Sequence, residues 1–176
     1  MSKDNIIMND MKCHFSISEK QALAILRILA CYPWLSGAFY GKDAKVSMDF
    51  IFGSGLTDRI NDGFIHTALN PTIVNFLTGI VVPHASVFAF MLALGEVAAG
   101  CSFLFGLFTR LGGIIAILHS IVNLLVLWKA GPETFGQNYL LIITALSFVL
   151  CGAGRTWGID SLLLKQTKSV FFRITG

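Results

Sequence analysis

The chain has 176 residues, 55% of them hydrophobic and 13% charged, with a formal net charge of +3. That balance lies far from the roughly 45–50% apolar, 25% charged mix of soluble domains, and a mean hydropathy of +0.72 also excludes a disordered chain, whose composition is the reverse. The length suits one domain and, at about 20 residues per crossing, holds four membrane-spanning helices plus termini and one sizeable loop.

Residues 1–20 carry Lys3, Asp4, Asp10, Lys12, Glu19 and Lys20. They read as a polar leading segment and not as a cleavable signal, because the apolar run after them is too long and lacks a small-residue exit. That run, residues 21–40, is interrupted only by Arg27 and fits one span. The next 43 or so residues, 41–83, are too many for a plain connector. Lys42, Asp43, Lys45, Asp49, Asp58, Arg59 and Asp62 mark the front half, and the apolar back half is broken by Asn70-Pro71 and Gly79. These breaks predict short interfacial or re-entrant helices in preference to a fifth span.

The second span is expected over residues 84–108, with Glu96 inside it, and the third over 111–128, so that only Thr109 and Arg110 join them. The fourth covers 137–153 and stops at a Gly-Ala-Gly-Arg turn, residues 152–155, before a tail over 165–176. The predicted fold is an all-α, integral membrane four-helix bundle with one membrane domain over 21–164. Four crossings put both termini and the 109–110 hairpin on one side, with Lys3, Lys12, Lys20, Arg110, Arg155, Lys165, Lys168 and Arg173. The other side has Lys42, Lys45, Arg59 and Lys129. Positive charge follows the cytoplasm, so both termini are expected inside the cell membrane and the long loop outside it. The net charge then reflects orientation, and no nucleic-acid partner is needed to explain it.

Arg27 and Glu96 are the two charges placed within hydrocarbon, where each costs on the order of 2.5–3.5 kcal/mol and tends to face the bundle interior and pair. From the expected cytoplasmic ends of their spans they lie roughly 10 Å and 18 Å deep, a difference an extended Arg side chain bridges. Two readings stand: a structural ion pair, or a pair that does chemistry. Small residues surround them. Gly95, Ala98, Ala99 and Gly100 flank Glu96 and permit close helix approach. Gly112, Ala116, His119 and Asn123 share one face of the third span, as Ala24, Arg27, Cys31, Trp34 and Ala38 do in the first.

His119 reads either as a hydrogen-bonded structural group or, through its near-neutral titration, as a proton carrier. A quinone, an apolar ring with carbonyl oxygens that become hydroxyls on reduction, needs an apolar slot with a few donors and a proton route. Trp34, Phe103, His119 and Asn123 are the candidates for that slot. Trp128, Tyr139 and Trp157 read as interfacial anchors. Cys13, Cys31, Cys101 and Cys151 show no CxxC spacing, and cysteine in apolar runs is mostly a small hydrophobe. There is no GxGxxG and no P-loop, and one histidine deep in a span does not make a paired haem site. Neither haem nor metal is expected.

Several segments together resemble the DoxX/DoxD family of membrane proteins. They are Leu26-Arg27, Pro83-His84-Ala85 leading into Gly95-Glu96-x-x-x-Gly100, Gly106-Leu107-Phe108-Thr109-Arg110-Leu111, and Gly152-Ala153-Gly154-Arg155-Thr156-Trp157-Gly158-Ile159-Asp160. The last element and the Pro-His entry are most similar to the DoxD branch, the small membrane subunit of thiosulfate:quinone oxidoreductase. The resemblance implies a four-helix subunit that works with a separate DoxA-like partner, oxidises thiosulfate to tetrathionate and delivers electrons to membrane quinone. In that setting Glu96 accepts protons or hydrogen-bonds the redox partner, Arg27 holds Glu96 or an anion, and His119 assists proton movement. Arg110 and Arg155 anchor the bundle to headgroups or to Asp160, or alternatively bind an anionic substrate. The rival reading is a non-catalytic anchor or assembly subunit of a respiratory, terminal quinol oxidase complex, with oxidase subunits as partners. A transporter is weaker still, because no inverted repeat is visible; self-association stays open.

Overall fold

The structure, a computed structural model, describes residues 17–41 and 44–166. Lys3, Lys12, Cys13, His14, Lys42, Asp43, Lys168 and Arg173, to which the sequence assigns sides or roles, lie outside the described residues. Four helical runs are long and apolar enough to cross a membrane: Glu19–Phe39, Pro71–Phe105, Thr109–Val126 and Pro132–Cys151. Among the described residues there is no strand, and the architecture is the all-α membrane bundle that the apolar runs predict.

The first span consists of α1 (Glu19–Leu29) and α2 (Cys31–Phe39). A capping box starts it: Gln21 N–H donates to Ser18 Oγ at 3.3 Å, and Ser18 N–H donates to Gln21 Oε1 at 3.0 Å. The step at Ala30 follows from Pro33, which has no N–H for the carbonyl of Leu29 and crowds it. After Gly41, whose φ is +80°, the chain doubles back along the end of α2. Lys45 N–H donates to Gly37 O at 3.3 Å and Val46 N–H to Ala38 O at 2.8 Å.

Short helices do occur in the loop, but mainly in its front half and not in the apolar back half where they are expected: α3 (Met48–Phe52), α4 (Gly55–Arg59), a π turn over Ile60–Phe64 and α5 (Ile65–Thr67). Phe50, Leu56 and Ile60 pack with Leu77, Val81, Ala89 and Val126 in an apolar cluster separate from the bundle core. The loop is tied to the third span as well. Thr67 Oγ1 donates to Val126 O at 2.9 Å and Leu69 N–H to Leu125 O at 2.9 Å, which satisfies carbonyls left over at a helix end.

The second run starts earlier than residue 84. Asn70 caps it through Ile73 N–H at 3.1 Å, and Pro71 takes the first helical position, where a missing N–H costs nothing. Neither Gly79 nor Pro83 then breaks the helix. A π turn over Leu77–Val81 and a 3-10 turn over Val82–His84 absorb the proline, and His84 Nδ1 lies 3.0 Å from Ile80 O. Helix α6 (Pro71–Phe76) thus continues through these turns into α7 (Ala85–Phe105). The 35 residues span about 52 Å at 1.5 Å each, against a hydrocarbon core of about 30 Å.

α7 ends on Gly106, left-handed at φ +62°, and α8 (Thr109–Val126) begins three residues later. α9 (Pro132–Cys151) starts five residues before the position expected from apolarity, with Pro132 at its first turn and Glu133 beside it. It closes on a second left-handed glycine, Gly152. A 3-10 turn over Ala153–Arg155 and α10 (Ile159–Gln166) complete the described chain. The spans pack in sequence order, and α1 meets the chain again at the 153–155 turn. Trp34, Ala99, Phe103, Ala116, Ala145, Phe148 and Ala153 form the bundle core. Trp128 and Tyr139 are exposed at the loop end and Trp157 at the end nearer the termini, the arrangement of an aromatic belt.

Candidate functional site

The structure does not bring Arg27 and Glu96 together. Helical side chains lean toward the N-terminus of their own helix, and the first and second spans run in opposite directions. Arg27 therefore leans toward the termini end and Glu96 toward the loop end. Two polar centres result, separated by the apolar core.

At the termini end Arg27 is 0% exposed. Its Nη2 donates to Trp157 O at 3.2 Å, and the Asp160 carboxylate supplies nearby negative charge. Asp160 in turn accepts from Phe108 N–H at 2.7 Å and Thr109 N–H at 3.0 Å. It caps α8 from a distant part of the chain, with its charge at the positive end of the helix dipole. Asp160 N–H also donates to Gly106 O at 2.9 Å. The glycines of this centre leave room for the guanidinium: a Cβ on Gly106 or Gly158 would collide with Arg27 Nη1, and one on Gly154 with Thr109 Oγ1 and Asp160. The Gly-Arg-x-x-Gly-x-Asp exit and the link between the second and third spans thus interlock around Arg27; that link is residues 106–108 and not the expected Thr109 and Arg110, which start α8. Arg110 and Arg155 come within 4 Å of one point beside Gly152, the C-terminal cap of α9, where cations favour the helix dipole.

In the middle of the bundle Glu96 is 5% exposed. Its Oε1 accepts from Lys45 Nζ and lies 3.3 Å from His119 Nε2. Its Oε2 makes no hydrogen bond among the described residues and faces Gly37, whose Cβ, were there one, would stand 3.1 Å away. The Trp34 ring meets His119 edge to face at 5.5 Å between centroids. Gly95, one residue before Glu96, leaves the other side of His119 open: a Cβ there would lie 3.8 Å from Nδ1 and 3.7 Å from Ile115 Cγ2.

Lys45 is the residue that sequence reasoning missed as a partner of Glu96. It stands in the polar half of a loop, where the charge pattern assigns it to the outer surface. The return of the chain after Gly41 turns it inward, with the side chain 21% exposed. The one available signal was the need of a mid-membrane carboxylate for a cation, and Arg27 satisfied that need on paper.

The other quinone-slot candidates are dispersed. Phe103 is 1% exposed and packs on Phe148, ring centroids 5.1 Å apart, inside the core. Asn123 is half-buried one turn beyond His119 on the same helix. An apolar groove of about 190 Å³ lies between the second and third spans, lined by Ala98, Cys101, Phe105, Leu111 and Ile115 among others. Its Ile115 wall is one helical turn from His119.

What the central cluster can do chemically is hold and pass protons. It joins a carboxylate, an imidazole and an ammonium, with one carboxylate oxygen left over as an acceptor. No curated protein and no solved structure matches the chain. The family model described as the thiosulfate:quinone oxidoreductase (TQO) small subunit DoxD matches residues 24–175, a stretch that takes in Arg27, Lys45, Glu96, His119 and Asp160, and the chain is an integral membrane protein of the DoxD family.

Proposed function

We propose that the chain is the membrane subunit of a thiosulfate:quinone oxidoreductase-like complex, with both termini in the cytoplasm and a separate DoxA-like chain as partner. Two thiosulfate ions join through a new S–S bond to give tetrathionate and two electrons. One quinone takes up those electrons with two protons and leaves as quinol. The observation that carries this reading is the buried Glu96–Lys45–His119 cluster in a DoxD-family bundle. Charges and imidazoles inside a membrane are costly, and they generally mark proton relays or ligand sites.

In this reading quinone is a substrate. Its ring would approach the His119 and Trp34 end of the cluster, and the neighbouring apolar groove has the character required by an isoprenoid tail. Lys45 and His119 offer donors to a carbonyl oxygen, and Glu96 Oε2 offers an acceptor to the hydroxyl that forms. Arg27 belongs to the structural interlock at the termini end, and Arg110 and Arg155 to the cap of α9. Thiosulfate oxidation falls to the interface with the partner.

The test is quinone reduction by purified protein in mild detergent with its co-purifying chains. Glu96→Gln is expected to lower the thiosulfate-dependent rate by about 10²–10⁴, the usual weight of a positioned acid or base, in protein that remains assembled. An assembled Glu96→Gln complex with undiminished quinone reduction refutes the role. Co-purification of oxidase subunits with no DoxA-like chain supports the assembly-subunit reading instead.

A further inference from the structure

We infer that the buried Glu96–His119 cluster exchanges protons with one side of the membrane only, the side that carries the loop between the first two spans. The inference comes from packing and holds for whichever redox partner the cluster serves. Its use in quinone reduction, where the two protons would be drawn from the loop side, rests on the function proposed above.

Toward the loop end the cluster has a continuous polar connection. Lys45 donates to Glu96 from a segment that folds back over α2, and its side chain remains 21% exposed. A lysine with three donors that contacts the buried carboxylate from a partly exposed side chain is the contact through which protons would pass on this side. Toward the termini end the described residues make no comparable connection. Ala99, Phe103, Ala116, Ala145 and Phe148, none more than 1% exposed, form an apolar layer below the cluster. Beyond that layer the Arg27, Asp160 and glycine interlock fills the bundle end, with Arg27 itself fully buried. A proton entering from that side would have to pass a buried guanidinium and then cross hydrocarbon-like packing.

Among the described residues the charged and titratable groups that face the cluster are few. Lys45 comes from the loop segment, and Glu96 and His119 from the second and third spans. The first span presents Gly37 and Trp34. The buried residues of the fourth span, Asn138, Ala145 and Phe148, carry no titratable group. The thiols of Cys31 and Cys101 lie further toward the termini along their helices, on the closed side.

Trp34 supplies a reporter, because an imidazolium quenches the emission of an indole in contact with it, and the ring of Trp34 meets that of His119. The full chain carrying Trp128→Phe and Trp157→Phe keeps Trp34 as its single tryptophan. It would be reconstituted in lipid vesicles, with orientation scored by protease access to the termini. Each side would then receive a rapid drop in pH while Trp34 emission is followed.

The emission is expected to fall about tenfold faster, or more, after a drop on the loop side, a difference of about 1.4 kcal/mol in barrier. His119→Asn should abolish the change, Lys45→Met should slow it, and Lys45→Arg, which keeps a cation, should stay nearer the parent. Equal rates from both sides, a faster response from the termini side, or no response from either side would each overturn the inference. Quinone reduction, measured on the same preparation, scores the functional reading separately.

Discussion

Replacing Gly106 with Ala tests the interlock around Arg27 directly, and Gly152→Ala supplies the matched control. Both glycines end a span in the left-handed region, Gly106 at φ +62°, ψ +41° and Gly152 at φ +62°, ψ +54°. Any L side chain there costs roughly 1–2 kcal/mol, so that component is common to the two variants. The surroundings differ. A Cβ on Gly152 would meet Arg155 Nε at 3.2 Å and Cδ at 3.3 Å, atoms of an exposed side chain that need shift by only a few tenths of an ångström. On Gly106 it would collide with the fully buried Arg27 guanidinium and approach Gly158 Cα at 2.6 Å, and neither can yield without moving a helix or a backbone turn. Overpacking of this kind adds about 1–3 kcal/mol, which puts Gly106→Ala at about 2–5 kcal/mol and Gly152→Ala near 1–2 kcal/mol. Thermal unfolding in mild detergent, followed by size-exclusion chromatography and by a thiol-reactive dye, ranks the variants. Adding Arg27→Ala to Gly106→Ala should remove the collision with the guanidinium but leave the backbone component and the close approach to Gly158 Cα. Equal destabilisation by Gly106→Ala and Gly152→Ala would show that the glycines serve only as helix caps and that the Arg27 cradle carries no energy.

Asp160→Asn keeps one acceptor for the α8 N-terminus but loses its charge beside Arg27 and the helix dipole, and about 1–2 kcal/mol of stability should go with it in the same assay. Lys45→Met leaves a buried carboxylate with His119 alone; its cost should be about 1–3 kcal/mol, below the 3–5 kcal/mol of a fully buried pair because Lys45 is partly exposed. Combining it with Glu96→Gln should recover at least half of that loss, and strictly additive losses would show that the two side chains do not interact. Thr67→Val removes the hydroxyl that donates to Val126 O and should cost about 1 kcal/mol, with faster hydrogen exchange confined to the loop and the end of α8. Gly37→Ala places a methyl 3.1 Å from Glu96 Oε2, and in the proposed reaction it should raise the apparent KM for quinone more than it lowers kcat.

The spans were legible because each is a long apolar run, and a crossing needs little else. Their ends were less so. Asn70 starts a helix by capping, and Pro71 and Pro132 each occupy a first turn, local signals that the hydrophobic pattern places several residues late. Gly79 reads as a break and Pro83 as the mouth of the span, yet the helix passes through both, because a π turn and a 3-10 turn absorb the proline. Glu96 and His119 were legible as a site for a simple reason: each is polar where hydrocarbon surrounds it, and each lies on a face of small residues. Their contact, Nε2 to Oε1 at 3.3 Å, follows from those two faces meeting. Lys45 was hidden because its role depends on a reversal of the chain at Gly41, a tertiary event to which charge counting along the sequence is blind.

The error over Arg27 has a general cause. Depth along a helix axis locates a Cα and leaves the direction of its side chain out of account. Direction decides the pairing. In antiparallel neighbours the side chains lean to opposite ends, so a cation in one span and a carboxylate in the next diverge when each is placed nearer its own helix start than its partner's. Arg27 then finds the backbone carbonyl of Trp157 and the charge of Asp160, both from a turn more than 120 residues later in the sequence. Glu96, leaning the other way, is left to a lysine from the loop. The consequence for function is a division of labour along the membrane normal. The termini end holds a charge buried among glycines that ties three segments together, and the loop side of the bundle holds a charge whose counter-ion reaches the surface. The proton exchange inferred above belongs to the second of these, because there the partner of the buried carboxylate, Lys45, is itself partly exposed.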